Sequence, residues 1–235
     1  MKYSFIIPAL NEEDIIGKTI KSIKRQKGSF EIIVVDNDSK DKTAKIARDL
    51  GCRVVREKTK GISPARNRGA KVAKGECLCF IDADGELTKN WLEEANRALE
   101  RNNIDAIAGL VVFGHKNITK RILYNIYTLF AYLGIYLSKI FFGKSILPGN
   151  NFVIKKDIFL KTGGFDPVVG EDIWLSKKFC ALGGKSVVNL KMIIYYSSRG
   201  FEATGFIRTI IFWITATITR KACGDYSYKN KNWER

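Results

Sequence analysis

Two apolar runs, Glu31 to Val35 and Cys77 to Ile81, each end in an Asp-x-Asp. Runs this short, without polar alternation, read as strands buried on both faces. A third, Tyr3 to Ile7, is expected to stop at Pro8. Amphipathic stretches lie between them. Ile15, Ile16, Thr19, Ile20 and Ile23 form one helical face, opened by Asn11 as N-cap with Glu12, Glu13 and Asp14 in the first turn, and ended near Gly28. Asp41-Lys42-Thr43 opens a second helix through about Leu50, and Arg53 to Arg56 is a short strand. Strand, helix, strand, helix, strand with short links predicts parallel βαβ units in an α/β fold. Ligands of such sheets bind outside the carboxyl ends of the strands.

An Asp-x-Asp at a strand end puts two hard oxygen ligands about one pleat apart. Asp82-Ala83-Asp84-Gly85 therefore suits Mg2+ or Mn2+ with phosphate oxygens completing the shell, though the same four residues also make a plain acidic turn. A second strand ending Asp36-Asn37-Asp38-Ser39 favours the site: both clusters fall on one sheet edge, where a nucleotide can span them. Before the central strand, Ser63 as cap and Pro64 at the first helical position place Arg66 and Arg68 near a helix N-terminus, an arrangement that suits a diphosphate.

Downstream, Lys89 to Leu99 reads as an amphipathic helix and Ile104 to Phe113 as a strand, with His115 in a solvated loop. Ile122 to Phe142 is apolar and rich in Tyr, Phe and Leu, flanked by Lys120, Arg121 and Lys144. Asn125, Thr128, Ser138 and Lys139 count against a membrane span. The segment either packs in the core or lies in a membrane interface. A strand through Phe152 to Ile154, a Gly163-Gly164-Phe165-Asp166-Pro167 loop and an acidic pair, Glu171-Asp172, at a helix start follow. A second apolar helix, Phe206 to Thr219, precedes a basic segment, Lys221 to Arg235.

Lys and Arg number 40 against 24 Asp and Glu, a net charge of +16 over 235 residues. That favours anionic partners. The basic residues are spread along the chain without a helix-turn-helix, RRM or zinc-finger pattern, so nucleic acid is not expected; a basic membrane-surface or nucleic-acid-binding protein without catalysis is the alternative. Five cysteines, an odd number without Cys-x-x-Cys, predict free thiols in a reducing cytosol, and opening on a strand predicts no cleavable signal. A P-loop is excluded, because Gly143-Lys144-Ser145 and Gly184-Lys185-Ser186 would need glycine where Ser138 and Phe179 stand. No Gly-x-Gly-x-x-Gly follows the first strand, against a nicotinamide dehydrogenase.

Taken in order, Ile7-Pro8-Ala9-Leu10-Asn11-Glu12-Glu13, Val34-Val35-Asp36-Asn37-Asp38-Ser39, Ala65-Arg66-Asn67-Arg68-Gly69, Asp82-Ala83-Asp84 and Gly163-Gly164-Phe165-Asp166 leading to Glu171-Asp172 resemble a family-2 glycosyltransferase of GT-A fold. The resemblance implies a Rossmann-like, mostly parallel sheet with flanking helices plus C-terminal apolar helices. It implies a nucleotide-sugar half over 1–113, an acceptor and catalytic half over 114–200, and a C-terminal helix and tail over 201–235. Asp36 would contact the nucleobase, with Pro8, Ala9 and Glu12 lining the nucleoside pocket. Asp38 would join that site, its role left open by Asp-Asn-Asp-Ser where the family more often has Asp-Asp-Gly-Ser. Arg66 would lie near the base or diphosphate, Asp82 would face the ribose and share the metal, Asp84 would hold it, and Asp172, with Glu171 beside it, would be the general base. The Gln-x-x-Arg-Trp box of processive synthases is missing, and Ser198-Arg199-Gly200 stands where small members carry a Ser-x-Arg element. A single, inverting sugar transfer is therefore expected, with a lipid or lipid phosphate as candidate acceptor and a peripheral place on the cytoplasmic membrane face.

Overall fold

The computed structural model describes residues 2–101, 103–142 and 147–219; the basic segment Lys221 to Arg235 and Lys144 lie outside them. β1 (Tyr3–Ala9), β2 (Phe30–Asp36), β3 (Arg53–Arg56) and β4 (Cys77–Ile81) run parallel, joined by α1 (Ile16–Lys24), α2 (Thr43–Asp49) and α3 (Ile62–Val72). Then come β5 (Gly85–Leu87), α4 (Trp91–Arg101), β6 (Ala106–Gly114), α5 (Ile118–Phe142), β7 (Asn151–Lys155), α6 (Lys156–Lys161), α7 (Glu171–Ala181), β8 (Ser186–Ser197), α8 (Arg199–Thr204) and α9 (Phe206–Thr219). One eight-stranded sheet results, in the order β3-β2-β1-β4-β7-β6-β8-β5. β7 runs against β4 and β6, and β5 against β8, so the sheet is mixed but mostly parallel.

The two-residue period of the strands divides the core. Phe5 and Ile7 of β1 and Cys77, Cys79 and Ile81 of β4 join Ile16, Ile20, Ile23, Trp91 and Leu92 on one face. Ile6, Leu78 and Phe80 join Ala65, Phe159, Leu175 and Phe179 on the other. The interior strands are thus covered on both sides, as their unbroken apolar sequence requires.

Pro8 does not stop β1. Pairing with β2 continues through Pro8–Val35 and Ala9–Asp36, while pairing with β4 ends at Ile6–Phe80, so the missing N–H of Pro8 falls where no ladder bond is needed. Asn11 is not a helix cap: with φ at 50° it ties two loops together, taking the Lys40 N–H on its side-chain oxygen and giving its own N–H to Ser39 Oγ. Ser63 is not a cap either. α3 starts one residue earlier, after Gly61, and the Ser63 hydroxyl is buried without a hydrogen-bond partner.

Two features downstream of β4 shape the site. β6 and β8 are out of step after Gly109, and Asn151 fills the gap, donating to the carbonyls of Leu110 and Met192 and accepting from Trp91 Nε1. α5 is pinned to β6 by Asn125, whose side chain bonds both the N–H and the carbonyl of Phe113. Thr128 is buried and bonds back to the Tyr124 carbonyl. Two of the polar residues that argue against a span therefore hold α5 on the sheet or close its own turn. Among the described residues no helix is long and apolar enough to cross a membrane. His115 is not solvated: its side chain is 11% exposed and its ring meets Glu202 of α8.

Candidate active site

The carboxyl end of β4 is clasped from two sides. Asp82 receives Arg66 Nη2 on Oδ1 at 2.7 Å and the Tyr196 hydroxyl on Oδ2 at 2.5 Å. Tyr196 reaches it because β5 pairs with β8 in the register Gly85–Tyr196. Burial and the Asp82 and Asp84 charges raise the Tyr196 pKa, so the phenol stays a donor. The next residue, Ser197, gives its N–H to the Asp84 carbonyl. Thr19 Oγ1 donates to the carbonyl of Ala83 at 2.7 Å. The Asp84 side chain is buried, and Arg199 Nη2 stands 3.6 Å from its Oδ2 and 2.7 Å from Glu12 Oε2. Tyr196 and Arg199 were not among the site residues expected from sequence. For Tyr196 the available signal was the strand alternation that buries Met192 and Ile194 and turns Tyr196 to the same side.

The loops after β1 and β2 are zipped into one wall. Glu12 N–H donates to Thr43 Oγ1, Glu13 N–H to Asp41, and Lys42 N–H back to Glu13. Asp36 is buried and receives the Ser39 N–H. Asn37 explains the local Asp-Asn-Asp-Ser sequence: its amide donates to the carbonyls of Glu57 and Thr59, and its oxygen accepts Gly61 N–H, fixing the loop that leads into α3. Asp38, at φ 70°, points to the rim and pairs with Lys40 and Arg56. Those two cations lower its pKa.

Arg66, expected near the base or diphosphate, lies in the fifth position of α3, 1% exposed, with Nη1 on Glu171 at 2.6 Å and Nη2 on Asp82. Its ring-facing side packs on Phe165. Arg68 is half-exposed. The buried guanidinium thus joins the end of β4 to the start of α7. Gly170, at φ 72°, turns the chain into α7. Burial, then the neighbouring Asp172 charge, push the Glu171 carboxyl up to about 7, while Arg66 opposes them. Asp172 faces elsewhere, taking Gly149 N–H on Oδ2 and Ile173 N–H on Oδ1, both at 2.9 Å. A Cβ on Gly149 would lie 2.9 Å from Arg66 Nη1 and 3.2 Å from Asp172 Cβ, so only glycine lets this turn close over both.

Glu12, Asp36, Asp82, Asp84, Glu171 and Asp172 are therefore brought to one edge of the sheet, with Pro8 and Ala9 at the end of β1 beside Asp36. Asp38 is set at the margin. Among the described residues there is no group of three or more His, Cys, Asp or Glu able to hold a metal by itself. Mg2+ and Mn2+ bound with substrate phosphates need only one or two protein carboxylates. Asp84, buried at the end of β4 beside Arg199, and Asp82 two residues before it are the carboxylates placed to serve such a metal.

Comparison with known proteins agrees with this architecture. The mannosyltransferase PcManGT from Pyrobaculum calidifontis, solved with GDP-Man and Mn2+, superposes with a TM-score of 0.67 at 21% identity, covering 91% of this chain and 64% of that one. Staphylococcus aureus TarS residues 1–349 with UDP-GlcNAc gives 0.64 at 21% identity, covering 84% and 59%. Both share the GT-A fold with this chain. In sequence, glycosyltransferase AglE of Haloferax volcanii is 32% identical over 123 residues, 48% of this chain and 40% of its own length. The chain thus spans under half the length of that relative. The family model "Glycosyl transferase family 2" matches residues 4–163, the stretch carrying both Asp-x-Asp strand ends and Arg66; the chain belongs to glycosyltransferase family 2.

Proposed function

We propose that the chain moves one sugar from a nucleoside-diphosphate sugar to an acceptor hydroxyl or phosphate, inverting the anomeric carbon in a single displacement. The observation that carries this reading is the Arg66 guanidinium between Asp82 and Glu171, which brings the donor-side strand end and the α7 acid pair to one point. Asp36 reads the nucleobase, with Pro8, Ala9 and Glu12 lining the nucleoside pocket and Asp38 at its rim. Asp82, clamped by Arg66 and Tyr196, faces the ribose. Asp84 holds Mg2+ or Mn2+, which when bound stabilises charge on the leaving diphosphate. Asp172 takes the acceptor's proton as the new bond forms. Its carboxylate is held in place by two backbone N–H groups. One base and one displacement give inversion. In this reading Arg66 is a positioning residue: it orients Asp82 and Glu171 rather than meeting phosphate. Residues 1–113 supply the donor side, and 114–200 add the base and Tyr196. A thermal-shift screen of UDP-, GDP- and dTDP-sugars with Mn2+ tests the reading. One donor class should raise the melting temperature, since a ligand that binds only the folded state stabilises it. No shift with any of them contradicts it.

The acceptor side favours a membrane lipid or lipid phosphate. α5 packs Tyr124, Thr128 and Tyr132 inward, while Ile122, Leu123, Ile126, Leu129, Phe130 and Leu133 are exposed. Ile207 and Ile211 of α9 are exposed as well. Lys116, Lys120 and Arg121 are exposed at the start of the α5 face. An apolar face with cations at its end suits the boundary of an anionic bilayer. Each such cation contributes about 1 kcal/mol near the surface. The chain is expected to co-sediment with phosphatidylglycerol vesicles at low salt, and to be released by salt or by the triple change Lys116→Ser, Lys120→Ser, Arg121→Ser. A chain that stays in the supernatant at low salt has this face covered by protein instead.

A further inference from the structure

Arg199 has no place in the donor and base assignments above, yet its guanidinium lies between two buried carboxylates of the site, Glu12 and Asp84. Its backbone is anchored. Ser197 N–H holds the Asp84 carbonyl, Arg199 N–H donates to Ser197 Oγ, and Phe201, two residues on, stacks on Tyr124 of α5 with ring centroids 4.9 Å apart. The two carboxylates it meets are anchored too. Glu12 N–H is bonded to Thr43, and Asp84 follows an Ala83 held by Thr19. Between these fixed ends the Arg199 side chain is 45% exposed.

We propose that Arg199 is a tethered counter-ion of the donor site: in the ligand-free chain its guanidinium stands beside Asp84, the carboxylate that would hold a divalent cation, and it sets metal affinity by competition. The proposal rests on the reading that Asp84 holds the metal. A guanidinium 3.6 Å from Asp84 Oδ2 and a divalent cation on the same carboxylate repel each other, so the metal binds only when Arg199 swings away. The Arg199–Glu12–Asp84 contacts must break first. Because the cation is half-exposed, their strength is that of a screened pair, and the penalty on metal binding is roughly tenfold. Free metal is then held weakly. The donor's diphosphate offers the displaced guanidinium a new anionic partner, so metal and nucleotide bind together rather than metal first.

The test uses Mn2+ alone, without nucleotide, followed by the electron paramagnetic resonance signal of free Mn2+. Arg199→Met, which keeps length and removes charge, is expected to bind Mn2+ roughly tenfold more tightly than the unmodified chain. Arg199→Gln is expected to do the same, and thermal unfolding checks that both are folded. Adding Asp84→Asn to Arg199→Met should abolish the gain. Equal or weaker Mn2+ binding in both Arg199 variants, or no binding in any form, overturns the counter-ion role. A gain that survives Asp84→Asn instead overturns the assignment of the metal to Asp84, and the proposal with it.

Discussion

Asp172→Asn is expected to lower kcat by roughly 10²- to 10⁴-fold, the usual span for a lost general base. Asparagine keeps the shape and cannot accept a proton at neutral pH. Donor affinity should stay nearly unchanged, because the Asp172 carboxylate accepts from the Gly149 and Ile173 N–H groups, which lie outside the proposed donor pocket. The two N–H groups now met by carboxylate oxygens would face one oxygen and one NH2, so the variant should also lose some stability, about 1 kcal/mol for a mismatched hydrogen bond. Glu171→Gln is the necessary comparison. Glu171 and Asp172 are adjacent at a helix start and diverge by about 100°, so one point in the site is served by one of them. The Glu171 carboxyl, pushed up to about 7, is the competing base. Near-normal turnover in Asp172→Asn with an inactive Glu171→Gln would transfer the role. Lost donor binding in Asp172→Asn would place that residue in the nucleotide site.

Arg66→Met is expected to destabilise the fold by about 3 to 5 kcal/mol, the cost of stranding buried charge. Arg66 is the ion-pair partner of both Asp82 and Glu171, and the Asp172 charge lies close enough to raise its pKa further. Without it Glu171 would take up a proton, and Asp82 would rely on Tyr196. Urea denaturation should show the loss. The double variant Arg66→Met/Glu171→Gln should recover part of it, since contacting residues are not additive. A loss below about 1 kcal/mol would mean that the cluster is well solvated and that Arg66 is not its keystone.

β2 and β4 and their acidic ends are legible because each is a local pattern: a short unbroken apolar run stopped by Asp-x-Asp. The long-range partners are not. Arg66 lies 16 residues from Asp82 and 105 from Glu171, so nothing near it in sequence marks it as buried. Read locally, it belongs on a helix N-terminus facing phosphate. Asn11 and Ser63 have cap chemistry, but Asn11 is used between loops, and α3 begins ahead of Ser63. β5, three residues long, carries no pattern of its own, yet its pairing with β8 delivers Tyr196 to Asp82. His115 lies in a polar, basic stretch that predicts a solvated residue, yet it meets Glu202, 87 residues away. α5 showed its composition but not its orientation, which depends on Asn125 finding the backbone of Phe113.

Metal-assisted nucleotide binding at the end of β4 underlies every role proposed above. Titration calorimetry of the nucleoside diphosphate selected by the thermal-shift screen, with Mn2+ and with EDTA, in the unmodified chain and in Asp84→Asn, tests it most directly. Asp84→Asn removes a charge the cation needs. Binding in the presence of Mn2+ is expected to weaken at least about tenfold in EDTA and to a similar extent in the variant. Affinity unchanged by both would contradict it and leave Asp82-Ala83-Asp84 a buried acidic turn.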